Sequence, residues 1–158
     1  MASKRETESA VTGTGQFDMA RHIGFLVRKF YQKNQAIWQE LCTDPQMTSV
    51  QYAVLESLYR NGPSSLTDIG RAAAMDPATT RGVVERLHAR DMVSHETDKI
   101  DRRKVIVRLN PPALELLREM TPIMPQIAEA TLQPLNPAER LALQFLLHKV
   151  TEAPPADE

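Results

Sequence analysis

The side chains with the longest chemical reach in this chain are cations gathered in two places. Arg81 and Arg86 follow Ala78, Thr79 and Thr80 in a segment that opens Asp76-Pro77. Lys99, Arg102, Arg103 and Lys104 cluster around Asp101 some twenty residues on. A guanidinium presents a rigid fork of donors that suits phosphate oxygens and the edge of guanine, and an ammonium suits phosphate as a point charge. Ser65 adds a hydroxyl just ahead of the first group. A third set, Arg21, His22, Phe25 and Arg28, falls within two helical turns. Cation, imidazole and aromatic walls together fit a planar carboxylate, Arg by a bidentate contact and His by a further donor. No nucleophile motif, Gly-rich phosphate loop or paired acid set is present, so no catalytic residues are assigned. His22, His88, His95 and His148 have no metal-ligand spacing and Cys42 stands alone, so no metal or cofactor is expected.

These groups need elements to hold them. Ser65, with Asp68 three residues later, reads as the cap of a short helix from Leu66. Asp76 and Pro77 are a stronger start signal, since Asp accepts from the free amides and Pro at the first position loses no bond. Thr80, Val83, Val84 and Leu87 recur at three- and four-residue spacing and form the inward face of that second helix. Its other side carries Ala78, Thr79, Arg81, Gly82, Glu85 and Arg86, short-chained first and cationic after. Thr80 is counted among the contact residues as well. Met92 to Glu96 and Lys104 to Leu109 alternate as half-buried strands do, with the charged segment Asp98 to Arg103 as their tip. Two short helices and a basic hairpin make a winged helix-turn-helix, with one helix placed for a DNA major groove and the tip for the narrow minor groove.

At this point Asp101-x-Arg103, five residues, then Leu109 and Asn110 resembles the wing motif of the MarR family of bacterial transcription regulators. Thr48-Ser-Val-Gln-Tyr-Ala-Val-Leu, Leu66-Thr-Asp-Ile-Gly, Thr80-Arg81 and Val83-Val84-Glu-Arg-Leu87 extend the resemblance over about residues 17 to 150. Two positions depart from the family pattern. Asn110 stands where Thr is usual, and is expected to cap the next helix equally well. Asp91 stands where Gly usually ends the recognition helix, and is expected to take the left-handed conformation. Asp101 is expected to orient a wing Arg through a charge-assisted pair.

The formal net charge is −1, which excludes a general polyanion binder. Residues 66 to 110 carry a net +2 and the rest −3, so binding rests on placed side chains and weakens with salt. With 158 residues, 42% of them hydrophobic, one soluble domain is expected. No apolar run reaches the ~20 residues that cross a bilayer, no secretion signal is visible, and the lone Cys fits a reducing bacterial cytoplasm.

The organisation read from the chain is mostly α with a small β-wing. A disordered tail spans 1 to 15, a first dimerisation helix 16 to 47, the DNA lobe 48 to 110, C-terminal dimerisation helices 111 to 152 and a tail 153 to 158. Phe17 to Leu41 keeps helical spacing throughout and ends before Asp44-Pro45. Thr48 and Gln51 read as a capping box, with Met47 and Tyr52 as the hydrophobic staple. Pro122 and Pro125 are expected to kink one long helix near Thr121 rather than divide it. Asn136-Pro137-Ala-Glu139 opens the last helix, which bears Leu141, Phe145, Leu146 and Val150. The terminal helices are more apolar than a monomer needs, which implies a homodimer on a palindromic double-stranded operator.

Family members often bind small aromatic acids between the dimer helices and the DNA lobe. The resemblance therefore implies a ligand-responsive regulator with Arg21, His22, Phe25, Arg28, Ser49 and Tyr52 around an aromatic carboxylate. Two other readings stand beside it: a redox-sensing DNA-binding regulator using Cys42, and a winged-helix protein-interaction module.

Overall fold

The computed structural model describes residues 18–97 and 105–152. The expected tails at 1–15 and 153–158, and the wing-tip residues Lys99, Asp101, Arg102, Arg103 and Lys104, lie outside the described residues.

The helices begin where side chains can satisfy the free amides of a first turn. Asp18 accepts from the Ala20 amide and opens a 3₁₀ turn, Met19–Arg21. At His22 the backbone is extended, and helix α1, Ile23–Leu41, starts there. The single helix expected from Phe17 is thus interrupted: apolar spacing runs through His22, but the Asp18 cap sets a separate turn. The His22 ring lies over Gly24, where an added Cβ would come within 3.3 Å of it. Helix α2, Ser49–Asn61, has the expected capping box, Thr48 Oγ1 accepting from Gln51 N and Gln51 Oε1 from Thr48 N. The Trp38 indole N–H donates to the Met47 carbonyl at 2.8 Å, which pins α1 to the start of α2. Gly62, at φ +75°, ends α2 in a conformation glycine adopts at no steric cost.

Next come β1, Ser64–Ser65; α3, Leu66–Ala72; α4, Pro77–Ala89; β2, Val93–Thr97; and β3, Val105–Leu109. The sheet is antiparallel in the order β1-β3-β2, with Val93 opposite Leu109 and Ser64 opposite Val107. β1 was not expected, because two serines carry no hydrophobic alternation; pairing with β3 makes them a strand. Val54, Leu55, Leu58, Ile69, Val83, Val84, Leu87, Val93 and Val107 close the core of this lobe.

Two positive-φ residues flank α4. Asp91, at φ +57°, takes the expected left-handed turn. Asn110 occupies the N-cap position of α5, Pro111–Met120, but makes no side-chain cap bond. Its amide instead donates to the Asp91 carbonyl at 3.1 Å and carboxylate at 3.0 Å. The expected cap is therefore replaced by a clasp: Asp91, held in a conformation that disfavours a side chain, draws the Asn110 amide toward it. The two departures from the family pattern support one another.

Ala74, between α3 and α4, sits at φ +52°, where a Cβ costs ~1–2 kcal/mol. Ala74→Gly removes that cost against a smaller loss of unfolded-chain restriction. It is expected to stabilise the protein by up to ~1 kcal/mol, read as a higher urea midpoint at fixed protein concentration.

Helix α6, Met124–Leu132, follows α5 after a three-residue turn. Thr121 and Ile123 keep helical dihedrals, and the Ile127 amide reaches the Ile123 carbonyl. The expected kinked helix is therefore two helices joined by a helical turn, because Pro122 and Pro125 each withdraw an amide from the ladder. In α7, Pro137–Glu152, Asn136 and Glu139 form a reciprocal cap. Leu141, Phe145, Leu146 and Val150 on α7 are exposed, as are Ile23, Leu26, Val27 and Phe30 on α1. No described helix is long and apolar enough to cross a membrane.

Candidate nucleic-acid interface and effector cleft

Helix α4 is held at its start by Asp76, whose carboxylate accepts from the Thr79 amide at 3.0 Å and also from the Thr79 hydroxyl. Those two bonds, the hydroxyl's first, hold the Asp76 carboxyl below the ordinary aspartate range. A carboxyl lowered by folding stabilises the fold above its unfolded pKa, and that contribution is lost as the pH falls through the lowered value. Asp76→Ala is expected to speed amide exchange at Thr79 at neutral pH. The difference from the parent protein should close in acid below the aspartate range.

Gly70 of α3 meets α4 closely. A Cβ there would stand 2.8 Å from Thr80 Oγ1 and 3.1 Å from the Met75 carbonyl. This crossing corrects one expectation. Thr80 is fully buried, with its hydroxyl donated to the Asp76 carbonyl at 2.8 Å. It sets the angle between the two helices and cannot touch DNA. Ser65 is half-buried, and its hydroxyl accepts from the Asp68 amide while donating to the Asp68 carboxylate at 2.6 Å. Both of its hydrogen-bonding roles are taken by the cap. The Thr79 hydroxyl is likewise held by Asp76.

Ala78, Thr79, Arg81 and Arg86 are exposed on one side of α4. Neither Arg81 nor Arg86 has an ion-pair partner among the described residues, while Arg60, Arg71, Arg90, Arg108, Arg118 and Arg140 all do. The Arg86 guanidinium lies back along the helix over Gly82. Unpaired arginines beside a short-chained helix start are the arrangement base-edge and phosphate contacts require. β2 and β3 continue the same lobe, cross-linked by Arg108 and Glu96 at 2.8 Å.

A cleft of about 630 Å³ opens between α2 and the α5–α6 turn, lined by Tyr52, Glu56, Tyr59, Arg60, Leu114, Leu117, Arg118, Thr121, Met124 and Pro125. The volume suits a small organic ligand. Two tyrosines and apolar side chains make its walls, and two arginines stand at its edge, each paired to a glutamate of its own helix. Burial, and then Glu56, push the Tyr52 phenol up, so it is a hydrogen-bond donor at neutral pH. Of the sequence-derived ligand residues only Tyr52 lines this cleft. Ser49 is engaged by the Gln35 amide at 2.7 Å. Arg21, His22 and Arg28 are exposed and Phe25 half-buried at the start of α1, with the Lys29 ammonium 5.9 Å from the Phe25 ring centre. Arg60 and Arg118 were missed because they lie 58 positions apart and converge only through packing of α2 on α5.

Cys42 donates to the Asp44 carbonyl at 3.3 Å, and burial pushes its thiol up. A reactive cysteine needs the opposite shift.

The family model of MarR regulators matches residues 47–105. The chain is 42% identical over 153 residues, 97% of each protein, to the HTH-type transcriptional repressor NicR of Pseudomonas putida. It belongs to the MarR family. Among solved structures, this MarR-family chain resembles that of Bordetella bronchiseptica BpsR, described for regulation of its DNA binding by 6-hydroxynicotinic acid. The TM-score is 0.82 at 42% identity, covering 89% of this chain and 100% of BpsR. PcaV of Streptomyces coelicolor, solved with its natural ligand, gives a TM-score of 0.80 at 28% identity over 87% of this chain and 96% of PcaV. The protein is a DNA-binding transcriptional regulator on a winged helix-turn-helix fold, and its relatives are regulators rather than enzymes.

Proposed function

We propose that this MarR-family regulator is a repressor of the bacterial cytoplasm. It binds a palindromic operator as a homodimer and releases it when a hydroxylated single-ring aromatic acid enters the α2–α5 cleft. The 42% identity to NicR over 97% of the chain and to BpsR over 89% of it carries this reading. The cleft chemistry supports it: Arg118 or Arg60 exchanges its glutamate for the ligand carboxylate, Leu117 and Met124 cover the ring, and the Tyr52 phenol donates to a ring oxygen or nitrogen. Arg21, His22, Phe25 and Arg28 reach the cleft from the second copy. Their helix start carries Ile23 and Val27, which are exposed among the described residues.

At the operator, Ala78 and Thr79 let the start of α4 approach base edges, Arg81 and Arg86 take guanine or phosphate, and the wing cations Lys99, Arg102, Arg103 and Lys104 enter the minor groove with Asp101 orienting them. A ligand coupling of ~1–3 kcal/mol loosens DNA about 5- to 150-fold.

The test is calorimetry and thermal shift with 6-hydroxynicotinic acid beside nicotinic acid, followed by operator titration with each. Saturation at 100 times Kd adds ~2.7 kcal/mol of stability, so 6-hydroxynicotinic acid is expected to raise Tm and weaken operator binding. Nicotinic acid, which lacks the ring oxygen, is expected to do less. Replacing both Arg60 and Arg118 by Ala should abolish the response while leaving operator affinity intact, and the single variants show which of the two takes the carboxylate. No stabilisation by any hydroxylated aromatic acid at millimolar concentration would remove the effector assignment.

A further inference from the structure

We infer that Arg90 is a positioning residue for DNA binding: through Asp44 it fixes the far end of the recognition helix to the junction between α1 and α2. Arg90 follows the last residue of α4. A 13-residue helix is roughly 20 Å long, which places Arg90 far from the contact surface around Ala78 and Thr79. Its Nη2 donates to the Asp44 carboxylate, and both side chains are about three-quarters covered. Asp44 in turn organises the turn between α1 and α2. Its other carboxylate oxygen accepts from the Gln46 amide at 2.9 Å, and its carbonyl accepts from the Met47 amide at 2.9 Å and from the Cys42 thiol. The pair spans 46 positions of sequence and ties the helix that meets DNA to one whose exposed apolar face belongs to the dimer.

Stability alone does not explain the pair. Arg90 Nη1 is buried with no hydrogen-bond partner among the described residues, and a buried donor without an acceptor is a net cost. Buried ion pairs are themselves weak stabilisers, and their best-attested use is to specify one arrangement among several. The same end of α4 is held on its other side by the clasp of Asn110 on Asp91, which leads into α5. The buried face of Thr80, Val83, Val84 and Leu87 seats the rod on the lobe, and the Arg90 end sets its tilt: about 5° over roughly 20 Å shifts its far end by nearly 2 Å, more than base-edge hydrogen bonds tolerate.

The test is a double-mutant cycle read in operator affinity. Asp44→Asn, Arg90→Met and the double variant are titrated with operator DNA at several salt concentrations, with sedimentation to report the dimer and circular dichroism the fold. Each single variant is expected to bind about tenfold more weakly, and the double no worse than either single. The dimer should stay intact, and the slope of log affinity against log salt should stay unchanged. Arg90→Lys, which keeps the charge, should recover part of the loss, and it carries the same reading should Arg90→Met fail to fold. Parental affinity in the single variants, losses that multiply in the double, or no recovery with Lys would overturn the inference. So would a salt slope that falls by about one per lost contact, because Arg90 would then be a phosphate ligand.

Discussion

Phe145→Glu is expected to leave the protein monomeric at micromolar concentration and to remove operator binding with the dimer. Phe145 is 65% exposed in the single chain, beside Leu141 at 68% and Val150 at 77% on the same helix. Apolar side chains clustered in the open on one helix mark an interaction surface, the one the proposed homodimer would cover. In a two-fold dimer each substitution is present twice. Withdrawing two phenyl side chains from burial costs ~3–6 kcal/mol in total at the usual yield per side chain. The new carboxylates add their own desolvation cost in an apolar contact. The sum is at least a hundredfold in dimer affinity, which sedimentation velocity or light scattering reads directly. Because α7 lies apart from the core of the DNA lobe, the far-ultraviolet spectrum should change little. A variant that remains dimeric would show that another surface pairs the chains.

Arg81→Ala has the second large effect, and it acts on specificity. Arg81 is exposed on the first turns of α4, unpaired among the described residues, behind the short side chains of Ala78 and Thr79. A bidentate contact with a base is worth ~1–3 kcal/mol, and a dimer makes it twice. Operator affinity should therefore fall by roughly 30-fold or more, whereas affinity for an unrelated duplex, set by phosphate contacts, should fall far less. Fluorescence anisotropy with both duplexes gives the ratio. An equal loss on both would make Arg81 a phosphate ligand, and no loss on either would remove α4 as the reading element.

Much of this lobe was legible because its signals are local. Ser65, Asp76 and Thr48 each declare a helix start within four residues, and the structure places a cap at each. The inward spacing of Val83, Val84 and Leu87 likewise gives the buried face of α4 without any tertiary information. Thr80 was harder. Its spacing put it on the inward face, yet it was also counted with the DNA contacts beside it; full burial against Gly70 decides for the inward face.

What escaped the sequence is non-local. Asp91 and Asn110 read singly as two mild departures, yet they are one clasp. Arg60 and Arg118 sit on separate helices and share a cleft only after packing. Asp44 looked like the end of one helix and is also an anchor for another. The break at His22 had a local sign, the capping carboxylate of Asp18, outweighed in the sequence by the apolar spacing that continues past it.

The most direct measurement is methylation interference on the operator duplex with the parent protein and Arg81→Ala. Modified guanine N7 positions report contacts in the major groove, the groove whose edges a helix reads. Two clusters of interfering guanines centred one turn apart, roughly 34–36 Å, are expected with the parent, and their loss at the arginine-contacted guanine with Arg81→Ala. A single cluster, interference confined to minor-groove positions, or a pattern indifferent to Arg81 would contradict a paired recognition helix.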